Sequence, residues 1–508
     1  MEARHTTLIQ AFHDLWSSAG RRECVAIRTD EEALTYGALH QEVGQLSHAL
    51  RARGVQEGDR VAIAMDRSVL QCELLLAVLA CGACPCVLEP KLGAEELRRR
   101  FAAARLTWLI ADESNADANA GPNLEDGHVI DAASLEPGES VWWSTGTDPM
   151  QPAFLLFTSG SSGKPKGVLQ SHLGLLVNAK GVAQHSKLSG EDVLLHLMPL
   201  FHTNGVNNQL LAPLLVGASI ALAGRFKAED VPRLFDRFRP SIVTGVPTMY
   251  SRLLGQEFSN AALSKIRMLR CGSAPITQEL QRRVEEKFGT PLVISYGLSE
   301  ATCTSTMNPP LARRLGTVGT VLEGQDVFLA DDKGRRITEA GRDGEICIAG
   351  PSLMLGYLLD GSAGIPAPVE GGVLRTGDLG RFDEDGYLAI TGRIKDVIIR
   401  GGENLSPNLI ESVLTKVEGV QACCVVGRRD EDLGEVPVAF VVRSKTSAGE
   451  QLAPAAMTAA VVTELSRIHQ PVEYHFVADL PENAVGKVDR KALAQRLEAA
   501  RQVSEASS

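Results

Sequence analysis

The sequence predicts an α/β protein with substantial parallel sheet, followed by a smaller α+β unit. Three observations carry this reading. Apolar, β-branched runs alternate with helical patterns through most of the length. The 508 residues exceed what one hydrophobic core usually serves. After Arg393–Asp396 the alternation restarts in a segment with strands and helices of its own, which sets a division into residues 1–394 and 395–508.

In chain order, Val61-Ala62-Ile63-Ala64-Met65 is a short apolar run of strand type, and Cys72-Glu73-Leu74-Leu75-Leu76-Ala77-Val78 continues it as helix. Between residues 115 and 150 the composition turns to Asn, Asp, Gly, Pro and Ser, the mark of a surface excursion. Phe154-Leu155-Leu156-Phe157 is the next strand. Ser219–Ala223 and Ser241–Gly245 form buried strands with a helix over Ala228–Phe238 between them, and Pro291–Tyr296 forms another strand. Residues 361–368 make a second loop. Beyond the division, two strands (Ala422–Val426 and Val436–Val442) and helices over 408–416 and 455–468 complete the small unit; the polar residues after Leu497 fray.

Hydrophobic residues are 44% and charged residues 22%, as in ordinary globular proteins, and the net charge of −11 with 5% aromatics argues against a nucleic-acid surface. The most apolar stretch, Val69–Leu88, holds Glu73 and a Gly82–Pro85 break, so a buried helix and strand are expected, with no membrane span. Neither end carries a secretory, peroxisomal or lipidation signal, and ten cysteines then indicate free thiols in the cytoplasm. Cys81, Cys84 and Cys86 have CxxCxC spacing, but no further Cys or His nearby completes a ligand set, so core packing is the expectation.

Thr158-Ser159-Gly160-Ser161-Ser162-Gly163-Lys164-Pro165-Lys166-Gly167 follows the Phe154–Phe157 strand. Glycines let backbone fold around an anion, hydroxyls and amides donate to it, and Lys164 and Lys166 supply charge. Pro165 stands where a Walker A loop needs Ser or Thr, so this is not that motif; a flexible Gly/Ser linker is the competing reading. The segment resembles the signature loop of the adenylate-forming superfamily, which includes acyl-CoA synthetases, peptide-synthetase adenylation domains and firefly luciferase. Further stations follow in the superfamily's order. Tyr296-Gly297-Leu298-Ser299-Glu300 is similar to its Tyr-Gly-x-Thr-Glu, with Ser299 keeping the hydroxyl. Gly272-Ser273-Ala274-Pro275 resembles the adenine-flanking segment, Thr376-Gly377-Asp378 the ribose site, Thr391–Asp396 the domain hinge, and Gly486-Lys487 the loop of the catalytic lysine. Two departures stand out: no tryptophan lies in Gly371–Arg375, and Glu482 replaces a residue that is often basic.

The resemblance, which runs from Leu34-Thr35-Tyr36 to Lys487, implies an N-terminal domain of mixed sheets and helices that binds ATP and the acid, under a mobile C-terminal lid. It implies adenine near Tyr296, a phosphate contact at Ser299, Mg²⁺ on Glu300, both ribose hydroxyls on Asp378, and Arg393 at the ribose or phosphates. It further implies Lys395 as pivot and Lys487 as the catalytic lysine. A carboxylate beside a hydroxyl suits Mg²⁺, and two carboxylate oxygens suit a cis-diol. Met198–Gly205 resembles the border of the acyl pocket, with His202 near the reacting carboxylate and Gly245-Val246 as another wall. Asn204 and Asn208 are four apart, so they share a face if that segment is helical. They then either make the pocket polar or cap a helix start. Arg225 is either the partner of a second carboxylate or a surface residue.

A carboxylate activated by ATP must approach a polyanion, so pre-placed cations are the expected remedy. The resulting acyl-AMP is an acyl donor for a thiol. The pair Gly401-Gly402, followed by Glu403-Asn404, resembles acyl-CoA synthetases and leaves room for a pantetheine arm, which favours coenzyme A over a carrier protein as acceptor. An acid–CoA ligase using ATP, Mg²⁺ and coenzyme A is therefore expected; the identity of the acid and the oligomeric state, a homodimer among the options, stay open.

Overall fold

The computed structural model describes residues 5–112, 128–159, 165–358, 369–430, 432–482 and 488–505. Two large sheets face each other across a layer of helices. In the nine-stranded sheet the strands run parallel from Val25–Arg28 through Ser219–Leu222, Val193–His196, Ile242–Gly245 and Met268–Cys271 to Leu292–Tyr296, with antiparallel strands at both edges. The seven-stranded sheet is parallel over Cys84–Val87, Arg60–Ala64, Trp108–Ala111 and His128–Asp131, and ends in the antiparallel hairpin Pro152–Ser159/Pro165–Ser171 with Gly356–Leu358 outside it.

Helices Leu8–Ser17, Tyr36–Ala52, Val69–Ala80 and His172–His185 lie between the sheets, because one buried cluster joins their apolar side chains to Ile27 and Ile220 of one sheet and Ile63 and Phe154 of the other. A helix covered on both sides needs apolar residues all round. Val69–Ala80 meets that demand, and even Glu73 is buried, with burial and then Glu42 pushing its carboxyl up. Among the described residues no helix is long and apolar enough to cross a membrane. Cys81 is free and buried in this core, and Cys84 and Cys86 are free and buried in a second cluster with Ala62, Leu97 and Leu155; burial pushes the Cys81 and Cys84 thiols up to about 11 and about 12.

The surface excursion foreseen for residues 115–150 needs correction. Residues 113–127 lie outside the described residues, but His128–Asp131 is a sheet strand, and Trp143 stacks on His40 with centroids 4.8 Å apart. A polar composition hid one buried strand residue, Ile130, and two tryptophans. A third sheet follows, in which Val373–Phe382 pairs with Asp343–Ala349 on one side and Leu388–Arg393 on the other.

From Ile398 onward the buried side chains form clusters of their own around a five-stranded sheet. Two strands were expected there, and the observed Val420–Asp430 and Gly434–Arg443 extend them. Ile398–Arg400, Glu403–Leu405 and Glu473–Val477 were missed because they are short and alternate weakly. The expected helices run Pro407–Leu414 and Pro454–Glu464, each started by a proline, and Ser447–Gln451 and Arg490–Glu505 were not foreseen; the last of these carries helix through residues after Leu497 that were expected to fray.

Candidate active site

Four neighbouring parallel strands end on one edge, and each runs into a segment singled out in the sequence. Val193–His196 leads to His202, Ile242–Gly245 ends at Gly245-Val246, Met268–Cys271 runs into Gly272-Ser273-Ala274-Pro275, and Leu292–Tyr296 into Gly297–Glu300. Carboxyl ends of parallel strands are where open α/β sheets bind ligands. The backbone there is constrained: Ser273 and Thr302 hold φ of +67°, an unfavourable region for residues with a Cβ. A Cβ on Gly297 would stand 1.8 Å from the Cys303 carbonyl oxygen, so only glycine lets the strand end lie against that loop.

Tyr296, Asp378 and Arg393 come from three strands and meet. The Tyr296 hydroxyl donates to Asp378 Oδ2 at 2.8 Å, and Arg393 Nε donates to Asp378 Oδ1 from the directly opposite register position. Asp378 is buried, 5% exposed, whereas Arg393 is exposed. Burial and the adjacent carboxylate push the Tyr296 phenol well above its ordinary range, so it stays protonated and a donor. Burial lowers the basicity of Arg393, but Asp378 more than offsets it and leaves the guanidinium more basic than usual.

A second set links the Pro152–Ser171 hairpin to Glu300. Thr158 pairs with Lys166 across the hairpin, beside Ser159; Gly160, Ser161, Ser162, Gly163 and Lys164 lie outside the described residues. The Lys166 ammonium sits over the Tyr357 ring at 5.2 Å, and the Tyr357 hydroxyl donates to Glu300 Oε1 at 2.7 Å. Gln170 on the same hairpin donates to the carbonyls of Ser299 (2.9 Å) and Thr302 (2.8 Å), fixing the turn that carries Glu300. Burial and Glu300 push the Tyr357 phenol up, so this hydrogen bond persists at neutral pH. Sequence reasoning missed Tyr357 and Gln170; both act through strand register across the hairpin, which no local motif announces.

Among the described residues no group of three His, Cys, Asp or Glu could hold a metal ion. Glu300, a single carboxylate oriented by a phenol, fits an ion such as Mg²⁺ that takes one protein oxygen and completes its shell with phosphate oxygens and water.

Asn204–Leu211 forms a wide helical turn of π type, an arrangement frequent at functional sites. Asn204 does not cap it, and its start has no side-chain cap. Instead the Asn208 amide donates to Asn204 Oδ1 (3.1 Å) and Thr304 Oγ1 (3.0 Å), and Asn204 Nδ2 reaches Ser273 Oγ at 3.5 Å. The segments Asn204–Leu211 and Gly272–Pro275 are thereby joined. His202 is half-buried beside the Phe201 ring, 4.7 Å between centroids. Arg225 is exposed and lines a separate cleft with Thr29, Arg67 and Lys227.

Lys395 is exposed in the short turn Ile394–Asp396, directly after Arg393. Gly401 and Gly402 connect paired Arg400 and Glu403 with φ of +58° and +87°, the pattern of a type I′ hairpin turn, so their conformation itself demands glycine. Glu403 is exposed. Lys487 lies outside the described residues; Glu482 and Val488 pair across its loop.

With this geometry in view, the comparisons with known proteins are specific. The family model for AMP-binding enzymes matches residues 15–358, and that for the AMP-binding enzyme C-terminal domain matches residues 409–487. A sulfoacetate–CoA ligase from Cupriavidus necator is 33% identical over 484 residues, covering 90% of this chain and 91% of the relative. A feruloyl-CoA synthase from an Amycolatopsis species is 33% identical over 474 residues, covering 91% and 94%. The crystal structure of ATP-bound MatB from Rhodopseudomonas palustris superposes with a TM-score of 0.88 at 28% identity, covering 97% of this chain and 99% of that one. Strand ends, hairpin and the Asp378 cluster thus occur in a chain matched over nearly its full length, and the chain belongs to the AMP-binding enzyme family, in its acyl-CoA synthetase branch.

Proposed function

We propose that this enzyme, an AMP-forming acid–CoA ligase, works in two steps on one site. In the first, a carboxylate oxygen of the acid attacks the α-phosphorus of ATP, forming acyl-AMP and releasing pyrophosphate. In the second, the coenzyme A thiol loses its proton and attacks the acyl carbon, forming the thioester and releasing AMP. The observation that carries this reading is the meeting of Tyr296, Asp378 and Arg393 at the strand ends where Glu300 is held by Tyr357.

Asp378 receives the ribose hydroxyls, with Arg393 beside it; adenine lies between Tyr296 and Gly272–Pro275; Ser299 and the hairpin from Thr158 to Lys166 hold the phosphates. Mg²⁺ bound at Glu300 supplies charge neutralisation at the phosphates. His202 borders the reacting carboxylate, and Lys487 spans that carboxylate and the α-phosphate. Because two anions must be brought together, these cations supply most of the lowering of the first barrier. Rotation of residues 395–508 about Lys395 then withdraws Lys487 and presents Gly401–Glu403 to the pantetheine arm. The acid lies against Asn204, Asn208, Gly245 and Val246. Related enzymes act on acids as unlike as sulfoacetate and a feruloyl acid, so membership does not select the acid. Ten free cysteines accord with a cytoplasmic enzyme.

An acid panel followed by AMP release, with and without coenzyme A, tests the reading. Acid-dependent pyrophosphate–ATP exchange and a coenzyme A thioester are expected. Exchange without a thioester, together with acyl loading of purified carrier domains, would instead identify a carrier-protein-loading enzyme.

A further inference from the structure

Arg270 lies in the strand Met268–Cys271 beneath the wide helical turn and is 3% exposed. Its guanidinium donates to Thr244 Oγ1 (2.9 Å), the Asn208 carbonyl (2.9 Å) and Ser186 Oγ (3.5 Å). All three acceptors are neutral. Asp192, the carboxylate whose field it feels, is already gripped on both oxygens by Arg267, at 2.7 and 2.8 Å. Burial lowers Arg270 to about 10, so it is still a cation at neutral pH. Among the described residues no carboxylate pairs with it, and a buried cation left so is costly to fold around.

Part of its role is structural. Pro213 has no N–H to give the Asn208 carbonyl in a π-type turn, and Arg270 supplies the donor. A neutral amide would serve that purpose, so the charge is left without a structural reason. Its surroundings on the acyl side are polar. Thr304 Oγ1 donates to Cys303 Sγ at 3.8 Å, and Asn208 carries the chain of amide and hydroxyl contacts on to Thr304, Asn204 and Ser273, two residues from His202 at its Asn204 end. With its amide only loosely engaged by Ser273, Asn204 offers a donor to an oxygen-rich group.

Resting on the acid–CoA ligase reading, we propose that the acid carries a second anionic oxygen-rich group, a carboxylate or sulfonate, at its far end. Arg270 is the specificity-determining charge for that group, acting across Asn208. The uncompensated buried guanidinium and the strip Asn208–Asn204–Ser273 are the juxtaposition behind it.

The test uses the full chain with Mg-ATP and acids matched in length: succinate against butyrate, glutarate against pentanoate, and 3-sulfopropanoate against butyrate. Initial pyrophosphate–ATP exchange should favour anionic-ended acids by about 100-fold in kcat/KM, the size expected when a site built for a polar group meets an analogue lacking it. The carboxylate and sulfonate arms separate the two sources. R270M should collapse the preference to under about tenfold, through KM, with methyl-ended acids within about threefold of the parent; R270K should retain part of the preference. A parent enzyme that prefers methyl-ended acids, or a folded R270M that loses all acids equally, overturns the proposal. If R270M does not fold, the parent ratios and R270K decide. Robust thioester formation from methyl-ended acids alone refutes only this inference, whereas no exchange with any acid and no thioester refutes the ligase reading itself.

Discussion

Tyr357 shows most directly how a single side chain sets the chemistry. Its hydroxyl orients Glu300 while its ring supports Lys166, so one phenol aligns a carboxylate and an ammonium at the phosphate hairpin. Tyr357→Phe keeps the ring and removes the donor. We expect about a tenfold fall in the adenylation rate and a higher Mg²⁺ concentration for half-saturation, read from exchange assays across a Mg²⁺ titration. An unchanged Mg²⁺ dependence would detach Tyr357 from the metal. Lys487→Ala should abolish adenylation yet retain thioester formation from supplied acyl-AMP; equal loss of both steps would contradict its role. The carboxylates at 300 and 378 were legible because each sits in a short motif. Tyr357, Gln170 and Arg270 were not, since each acts through a partner far along the chain.

Secondary elements contribute stability that titrates. His172 opens its helix and His196 ends its strand, and burial lowers them to about 4 and about 3. Both are neutral when folded, while the unfolded chain protonates them near 6.5. Below that pH the unfolded state binds more protons, so stability falls as pH drops from 6.5 towards about 4, by a few kcal/mol in total. Thermal midpoints measured across this interval should decline, and a flat profile would show that the rings are hydrated. Thr35 caps the helix Tyr36–Ala52 through the Ala38 amide at 3.2 Å, so Thr35→Ala should cost about 1 kcal/mol in chemical denaturation without altering the acid preference. The parallel strands Arg60–Ala64, Ser219–Leu222, Ile242–Gly245 and Leu292–Tyr296 were legible because they read as continuous apolar runs, whereas Val25–Arg28, Val193–His196, Met268–Cys271, Trp108–Ala111 and His128–Asp131 were not singled out. The short strands of the C-terminal sheet were not, because tertiary pairing rather than their own pattern makes them strands.

At the scale of the whole molecule, the two parts touch through polar contacts that can be exchanged. Arg252 pairs with Glu482 at 3.6 Å, and Ser406 Oγ donates to the Thr391 carbonyl at 2.5 Å. An exposed ion pair of this kind contributes at most about 1 kcal/mol, small enough for a reversible swing. Lys395→Pro should spare adenylation and slow acyl transfer, as measured by acyl-AMP accumulation against thioester; an unaffected second step would remove the pivot. Arg393 has a further consequence. It is bound to Asp378 and adjoins the turn that carries Lys395. Under the proposed roles, a ribose that competes for that carboxylate would loosen the residue next to Lys395, so nucleotide exchange and the swing would share one mechanical linkage.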